Sequence, residues 1–365
     1  MTGTTWLCLL APLSLPLAAG LYTLLEPTIS DLLEGLAWER AKSRSLARAA
    51  RLRALFVGQP LPVHADYQPL CRDMVRLSIR DAEDRPGLAY ELRYPLDGGS
   101  GPVSVEAKRE LGPFRGAASA RTGEDGVERA GSQALWEHLL AGYERPEALD
   151  QALLTLAPAE LAVGGELTLK GEVEQPFLES PFGAELLLEL ARFARHAAAA
   201  LAAPPFAVRF DAFARGAPYW SKGWSHHLVE GVGVLERRTA RYLLTFRFRP
   251  EPDAGRVTVE GFCDLPQTRG VALREVGGAE LRHEPDEVWR EVLRNSAYAD
   301  AFGNMRACLE RQSLDLDEGA LVLAGDASPS FFTSHVGWTG LTGVSSVLDR
   351  LLEVLEERAY EPKAS

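Results

Sequence analysis

Residues 90–117, YELRYPLDGGSGPVSVEAKRELGPFRGA, align without a gap on residues 244–271, LTFRFRPEPDAGRVTVEGFCDLPQTRGV. A second block, 159–183, ends GELTLKGEVEQPFLESPFG and aligns at the same offset of 154 on 313–337, ending GALVLAGDASPSFFTSHVG. Of these 53 aligned pairs 15 are identical. The matches are residues that a shared backbone requires: Gly101/Gly255, Gly165/Gly319, Gly171/Gly325, Gly183/Gly337, Val103/Val257, Leu167/Leu321 and Phe177/Phe331. Self-similarity at a fixed period points to a repeated structural unit.

Within the first copy, 88–96 (LAYELRYPL) and 102–111 (PVSVEAKREL) alternate apolar and polar residues, and Asp97-Gly98-Gly99-Ser100-Gly101 between them is hairpin chemistry. The second copy has YLLTFRFRP and RVTVEGFCDL around Glu251-Pro252-Asp253-Ala254-Gly255. Loops are expected over 112–131 and 266–286. Helical spacing follows at Leu135, Trp136, Leu139, Leu140 and Tyr143, and at Val288, Trp289, Val292 and Leu293. Pro146 ends the first of these helices and opens a second through Ala148, Leu149, Ala152 and Leu153, while Pro285 suits the first turn of its counterpart. Short strands are expected around Leu161–Leu169 and Leu314–Leu323, and long helices over 183–202 and 338–359 close the copies. The expected fold is therefore α+β, a tandem duplication of a β-β-α-β-β-α unit with antiparallel sheets and helices on one face. The linking stretch 203–240 adds a strand or two, around Leu228–Leu235.

The 365 residues are 46% apolar and 25% charged, enough for two ordinary domains with real cores. The net charge of −12 argues against nucleic acid as a partner, because phosphate binding needs a basic surface. The cysteines Cys8, Cys71, Cys263 and Cys308 form no C-x-x-C and are expected to be reduced and buried. No cofactor motif is present: no Walker loop, no G-x-G-x-x-G after a strand, no H-E-x-x-H.

The N-terminus suggests an anchor ahead of the repeats. Residues 6–25, WLCLLAPLSLPLAAGLYTLL, are uncharged, and a helix of that length rises about 30 Å, the thickness of a hydrocarbon core. A cleaved signal peptide ending near Ala18-Ala19-Gly20 and a buried helix are the alternatives. The basic residues Arg40, Lys42, Arg44, Arg48, Arg51 and Arg53 follow the span and would keep the body cytoplasmic. They lie on an amphipathic stretch, 28–58, that would contact anionic lipid or serve as a solvated linker. The expected organisation is an anchor over 1–27, this helix over 28–58, and repeats over 59–204 and 205–365.

Two local patterns carry candidate function. F-x-x-S-x-x-G occurs as Phe177, Ser180, Gly183 and as Phe331, Ser334, Gly337. Ser180 and Ser334 read as N-caps of the closing helices, with an anion site as the functional alternative. The segment 218–227, PYWSKGWSHH, crowds Tyr219, Trp220, Trp224, His226 and His227 into one copy only, which marks it as a ligand- or partner-binding loop or an aromatic core cluster. Adjacent histidines on a strand point to opposite faces, which disfavours a metal site. Single residues such as Cys263, His283 and His335 form no local constellation, and Asp315-x-Asp317-x-Gly319 lacks the remainder of a calcium loop.

These features lead to a membrane-anchored, non-enzymatic interaction or scaffold protein presenting a duplicated body to the cytoplasm. A small-molecule or lipid binder with a pocket near Tyr219–His227, and a hydrolase or metal enzyme using His226 or His227, are the alternatives.

Overall fold

The computed structural model describes residues 35–36, 38–56, 63–66, 74–79, 87–95, 101–112, 114, 116–216, 223–251, 256–277, 279–328, 330–333 and 335–359. The chain is mixed α+β, built on two eight-stranded antiparallel sheets. The first half opens with helix α1 over 38–55. Six strands follow: β1 (Val63–Asp66), β2 (Met74–Ile79), β3 (Leu88–Arg93), β4 (Pro102–Glu110), β5 (Ala118–Gly123) and β6 (Gly126–Gly131). Helices α2 (Gln133–Ala141) and α3 (Pro146–Thr155) lead to β7 (Glu160–Val163) and β8 (Glu166–Glu174). A short turn of helix, α4 (Gln175–Leu178), precedes the long α5 (Pro181–Ala202).

The second half repeats this order. Helix α6 (Phe206–Arg215) leads into β9 (Trp224–Val229), β10 (Val232–Arg238), β11 (Leu243–Pro250), β12 (Val257–Asp264), β13 (Ala272–Val276) and β14 (Ala279–Glu284). Then come α7 (Asp286–Val292), α8 (Ser296–Cys308), β15 (Leu309–Asp317), β16 (Ala320–Ala327) and α9 (Val336–Ala359). The first sheet runs β1-β2-β3-β4-β8-β7-β5-β6 and the second β9-β10-β11-β12-β16-β15-β13-β14, one connectivity used twice.

The unit is larger than the expected β-β-α-β-β-α. Hairpins β5–β6 and β13–β14 occupy the two expected loops, and a strand pair precedes each expected hairpin. The stretch Leu228–Leu235 spans a turn between two strands, with Glu230 at φ 50 and Gly231 at φ 80. The physical reason is visible in β6: its residues, GVERAG, are exposed or half-buried on both faces, so no period-two pattern marks it.

Each sheet buries one face under helices. Val103, Val105, Leu167 and Leu169 form part of the first core, and Val257, Val259, Leu321 and Leu323 part of the second. These positions correspond one to one at the offset of 154. The tryptophans act in parallel as well. Trp136 Nε1 donates to Ala130 O at 3.2 Å and Trp289 Nε1 to Ala272 O at 2.8 Å, each tying a helix to the preceding hairpin.

Helix α6 joins the halves. Val208 belongs to the first core, whereas Phe210, Phe213 and Ala214 belong to the second. Arg215 Nε donates to the Asp211 carboxylate at 2.9 Å, His226 Nε2 lies 3.5 Å from it, and Ser132, the N-cap of α2, also favours its charged form. Burial opposes the charge on Asp211, yet these donors and the Arg215 charge outweigh it and hold the carboxyl well below the usual range.

The single-pass membrane placement requires correction. Among the described residues no helix is long and apolar enough to cross a membrane, and residues 6–25 lie outside the described residues. The two longest helices pack against the sheets and carry charged residues along their length. Helix α9 buries Trp338, Leu341, Leu348, Leu351 and Leu352 but carries Asp349, Arg350, Glu353, Glu356 and Glu357 elsewhere, where a spanning helix is apolar all round. Helix α1 likewise turns Ala41, Ala49 and Leu52 inward. Its Arg48 is buried over the Tyr94 ring at 4.1 Å, and Arg51 pairs with Glu179 at 3.0 Å. Arg40, Arg44 and Arg53 are exposed.

Candidate functional site

The sequence candidates separate onto two sides of the second sheet. Tyr219 and Trp220 lie outside the described residues. Trp224 opens β9, stacks on Phe246 at 6.1 Å and meets Trp338 edge-on at 5.6 Å. It extends an aromatic cluster that includes Phe213, Phe248, Phe331 and Trp338. His226 faces the same way, edge-on to Phe210 and 3.5 Å from Asp211. His227 points to the opposite face and lines a trough there.

Ser180 stands at the N-cap of α5. Its Oγ accepts from Gly183 N–H at 3.3 Å and donates to Phe177 O at 2.6 Å. A Cβ at Gly183 would lie 2.4 Å from Leu178 O, and one at Gly337 would lie 2.5 Å from Phe331 O. The shared glycines therefore let a chain turn press against the closing helix. Ser334 lies outside the described residues.

The histidines and cysteines stay dispersed. His283 stacks on Trp289 at 5.2 Å, and His335 is exposed near the start of α9. Among the described residues no group of three or more His, Cys, Asp or Glu side chains could hold a metal ion. Burial pushes the Cys263 and Cys308 thiols up to about 12, so neither supplies a thiolate at neutral pH. Asp317, Glu318 and Gly319 form the β15–β16 turn, with φ 48 at Glu318 and φ 86 at Gly319.

The most distinctive surface is the face of the second sheet that no helix covers. Strand alternation sends every second residue there. Leu243 and Thr245 come from β11, Glu260 and Phe262 from β12, and Val322 and Ala324 from β16. Phe262 sits opposite Val322 in register, and Thr245 opposite Phe262. Phe262 is 50% exposed and Val322 49%, unusual for apolar side chains in the middle of a sheet. Val229, Leu243 and Val276 extend the apolar surface toward both edges.

Beside this pair lies a trough of about 840 Å³, walled by Val232, Val234, His227 and Arg247 as well as Phe262 and Val322. Its charges nearly cancel: Glu230, Glu236 and Glu260 stand against Arg247 and Arg249. Arg249 reaches Glu260 at 3.8 Å.

The first sheet carries the same face with different chemistry. Lys108 and Thr168 occupy the register pair that corresponds to Phe262 and Val322. Arg76 pairs with Glu91 at 3.3 Å, Arg93 with Glu91 at 2.7 Å and with Glu106 at 3.5 Å, and Arg121 with Glu160 at 2.7 Å. The hydrogen bond from Arg93, helped by the Arg93 and Arg76 charges against partial burial, holds the Glu91 carboxyl below its ordinary value. Among the described side chains, no large apolar residue is exposed on this sheet.

No protein-family model and no curated protein matches the chain. Phe262 and Val322 were missed in the sequence because each sits in an ordinary alternating strand. The aligned repeat does hold the signal, since Phe262 aligns with Lys108.

Proposed function

We propose that the protein is a non-enzymatic interaction module made by tandem duplication, in which the second unit has turned its open sheet face into a docking surface. The observation that carries this reading is the exchange of Lys108–Thr168 for Phe262–Val322 at one register pair of a shared scaffold. The inner faces match because they must fill the same space under the same helices. The open faces are free of that demand, so an apolar replacement there points to contact with something outside the fold.

The occupant is a partner protein presenting an apolar strip of little net charge. Charge balance supports this choice: the acidic and basic residues of the trough offset one another, leaving nothing for a phosphate backbone or a strongly charged peptide. Size supports it as well. Eight strands about 4.8 Å apart and roughly seven residues long present about 800 Å², the area one side of a standard protein complex buries.

A photo-crosslinking residue in place of Phe262, compared with one in place of Lys108, tests this in the native cell. The expected result is one adduct of defined mass at 262 and none at 108. The purified partner then binds the wild-type chain about tenfold or more tightly than the Phe262→Lys/Val322→Lys variant. An adduct of twice the chain's own mass would mean that the face covers itself and would overturn the reading. Equal adducts at both positions, no adduct, or unchanged affinity in the double variant would overturn it too.

A further inference from the structure

A second cavity lies where the two halves meet, away from the open sheet faces. It measures about 610 Å³ and takes its walls from both units, within the range of roughly 300–1,000 Å³ typical of small-molecule sites. Leu111, Phe114 and Leu201 come from the first core or its edge, and Phe332 from the second. Arg209 and Ala212 of α6 form the floor between them.

Arg209 is the only charged side chain among the described residues of this wall. Its guanidinium lies 5.9 Å from the centre of the Phe332 ring. Its Nε is buried without a hydrogen-bond partner, and among the described residues no carboxylate pairs with it. A buried donor left unmade is costly, and a charged one more so. The fork of an arginine matches a carboxylate, which accepts two parallel hydrogen bonds from the two Nη groups. Apart from Thr333, the remaining described side chains of the wall are apolar and suit a hydrocarbon chain.

We infer that this inter-unit cleft binds a small apolar carboxylic acid, its carboxylate held by Arg209 and its hydrocarbon part lodged between Phe114, Leu201 and Phe332. The site differs from the sheet face in chemistry: one cation with no carboxylate partner among the described residues in a mostly apolar wall, against an apolar strip with balanced charges. A ligand seated there touches both units, so its binding energy adds to the stability of their joint.

Titration calorimetry with decanoate and with decan-1-ol tests the assignment on the full chain. Wild type is expected to bind one decanoate per chain, about tenfold or more tightly than the uncharged alcohol. Arg209→Met should bring decanoate down to the level of the alcohol, and Arg209→Lys should restore part of the preference. Ala212→Trp fills the cleft and should weaken both probes. Arg121→Met, a charge removed from the solvated first sheet, should change neither. Thermal melting of each variant identifies any that fails to fold, and the acid-to-alcohol preference of the wild type stands as a test without any substitution. Equal binding of the two probes to wild type, several decanoates per chain, or a preference that survives Arg209→Met would overturn the assignment.

Discussion

The open faces of the two sheets differ more than anything else in the molecule. Strand order and the register of the central pair agree, as do core positions such as Val103/Val257 and Leu167/Leu321, yet one face is laced with ion pairs and the other exposes Phe262 and Val322. The difference shows where each kind of constraint acts. A core position answers to its neighbours in the same unit, and close packing leaves it little choice. An outward position answers to solvent or to a partner, so two units with one backbone can carry unlike surfaces.

Four measurements would break or sharpen this contrast. The largest effect belongs to the shared interior. Leu169→Ala and Leu323→Ala delete equivalent buried side chains and should each destabilise by about 2–5 kcal/mol in denaturant unfolding. A cost below about 1 kcal/mol in only one half would end the claim that the inner faces are equivalent. Next come Gly183→Ala and Gly337→Ala, whose new Cβ atoms would crowd backbone carbonyls. Each should cost about 1–3 kcal/mol, read by the same unfolding experiment.

The third measurement concerns the joint. The folded carboxyl of Asp211 is depressed, so its contribution is fully present above the unfolded value of about 3.9 and fades as the pH falls below it. Wild type should therefore lose thermal stability between pH 4 and pH 2 more steeply than Asp211→Asn. Parallel acid profiles of the two chains would mean that Asp211 does not stabilise the joint. The smallest effect on stability is expected on the open faces. Phe262→Lys and Lys108→Phe should each shift unfolding by only about 0.5 kcal/mol. Their effects on binding of a hydrophobic dye such as anilinonaphthalene sulfonate should be opposite, falling in the first and rising in the second. Similar dye binding by both variants would erase the contrast.

Much of the fold could be read before the structure. Alternation in 102–111 and in RVTVEGFCDL marks strands because half of each is packed and half solvated. The closing helices announce themselves through a serine, a glycine and a long apolar stripe. Less legible were β5 and β6, whose small and exposed residues leave no periodic trace. Clusters of aromatic residues misdirect in a different way. Trp224 and His226 stand out in sequence, yet both point toward the helices, against Phe246 and Asp211. Phe262 looks ordinary between Gly261 and Cys263, yet the fold leaves it half uncovered in the middle of a sheet.

The chain's sequence alone determined the repeat, its offset of 154 and the alternating pattern that makes each unit α+β. Those follow from local rules, since periodicity and turn residues act over a few positions. Only the tertiary structure decided which side of each strand the helices cover, and that α6 belongs to both cores. Those choices depend on contacts between residues far apart in the chain, such as Phe262 with Val322 and Ser132 with Asp211. A strand's pattern says that it has two faces; the packing of the helices says which one is left open.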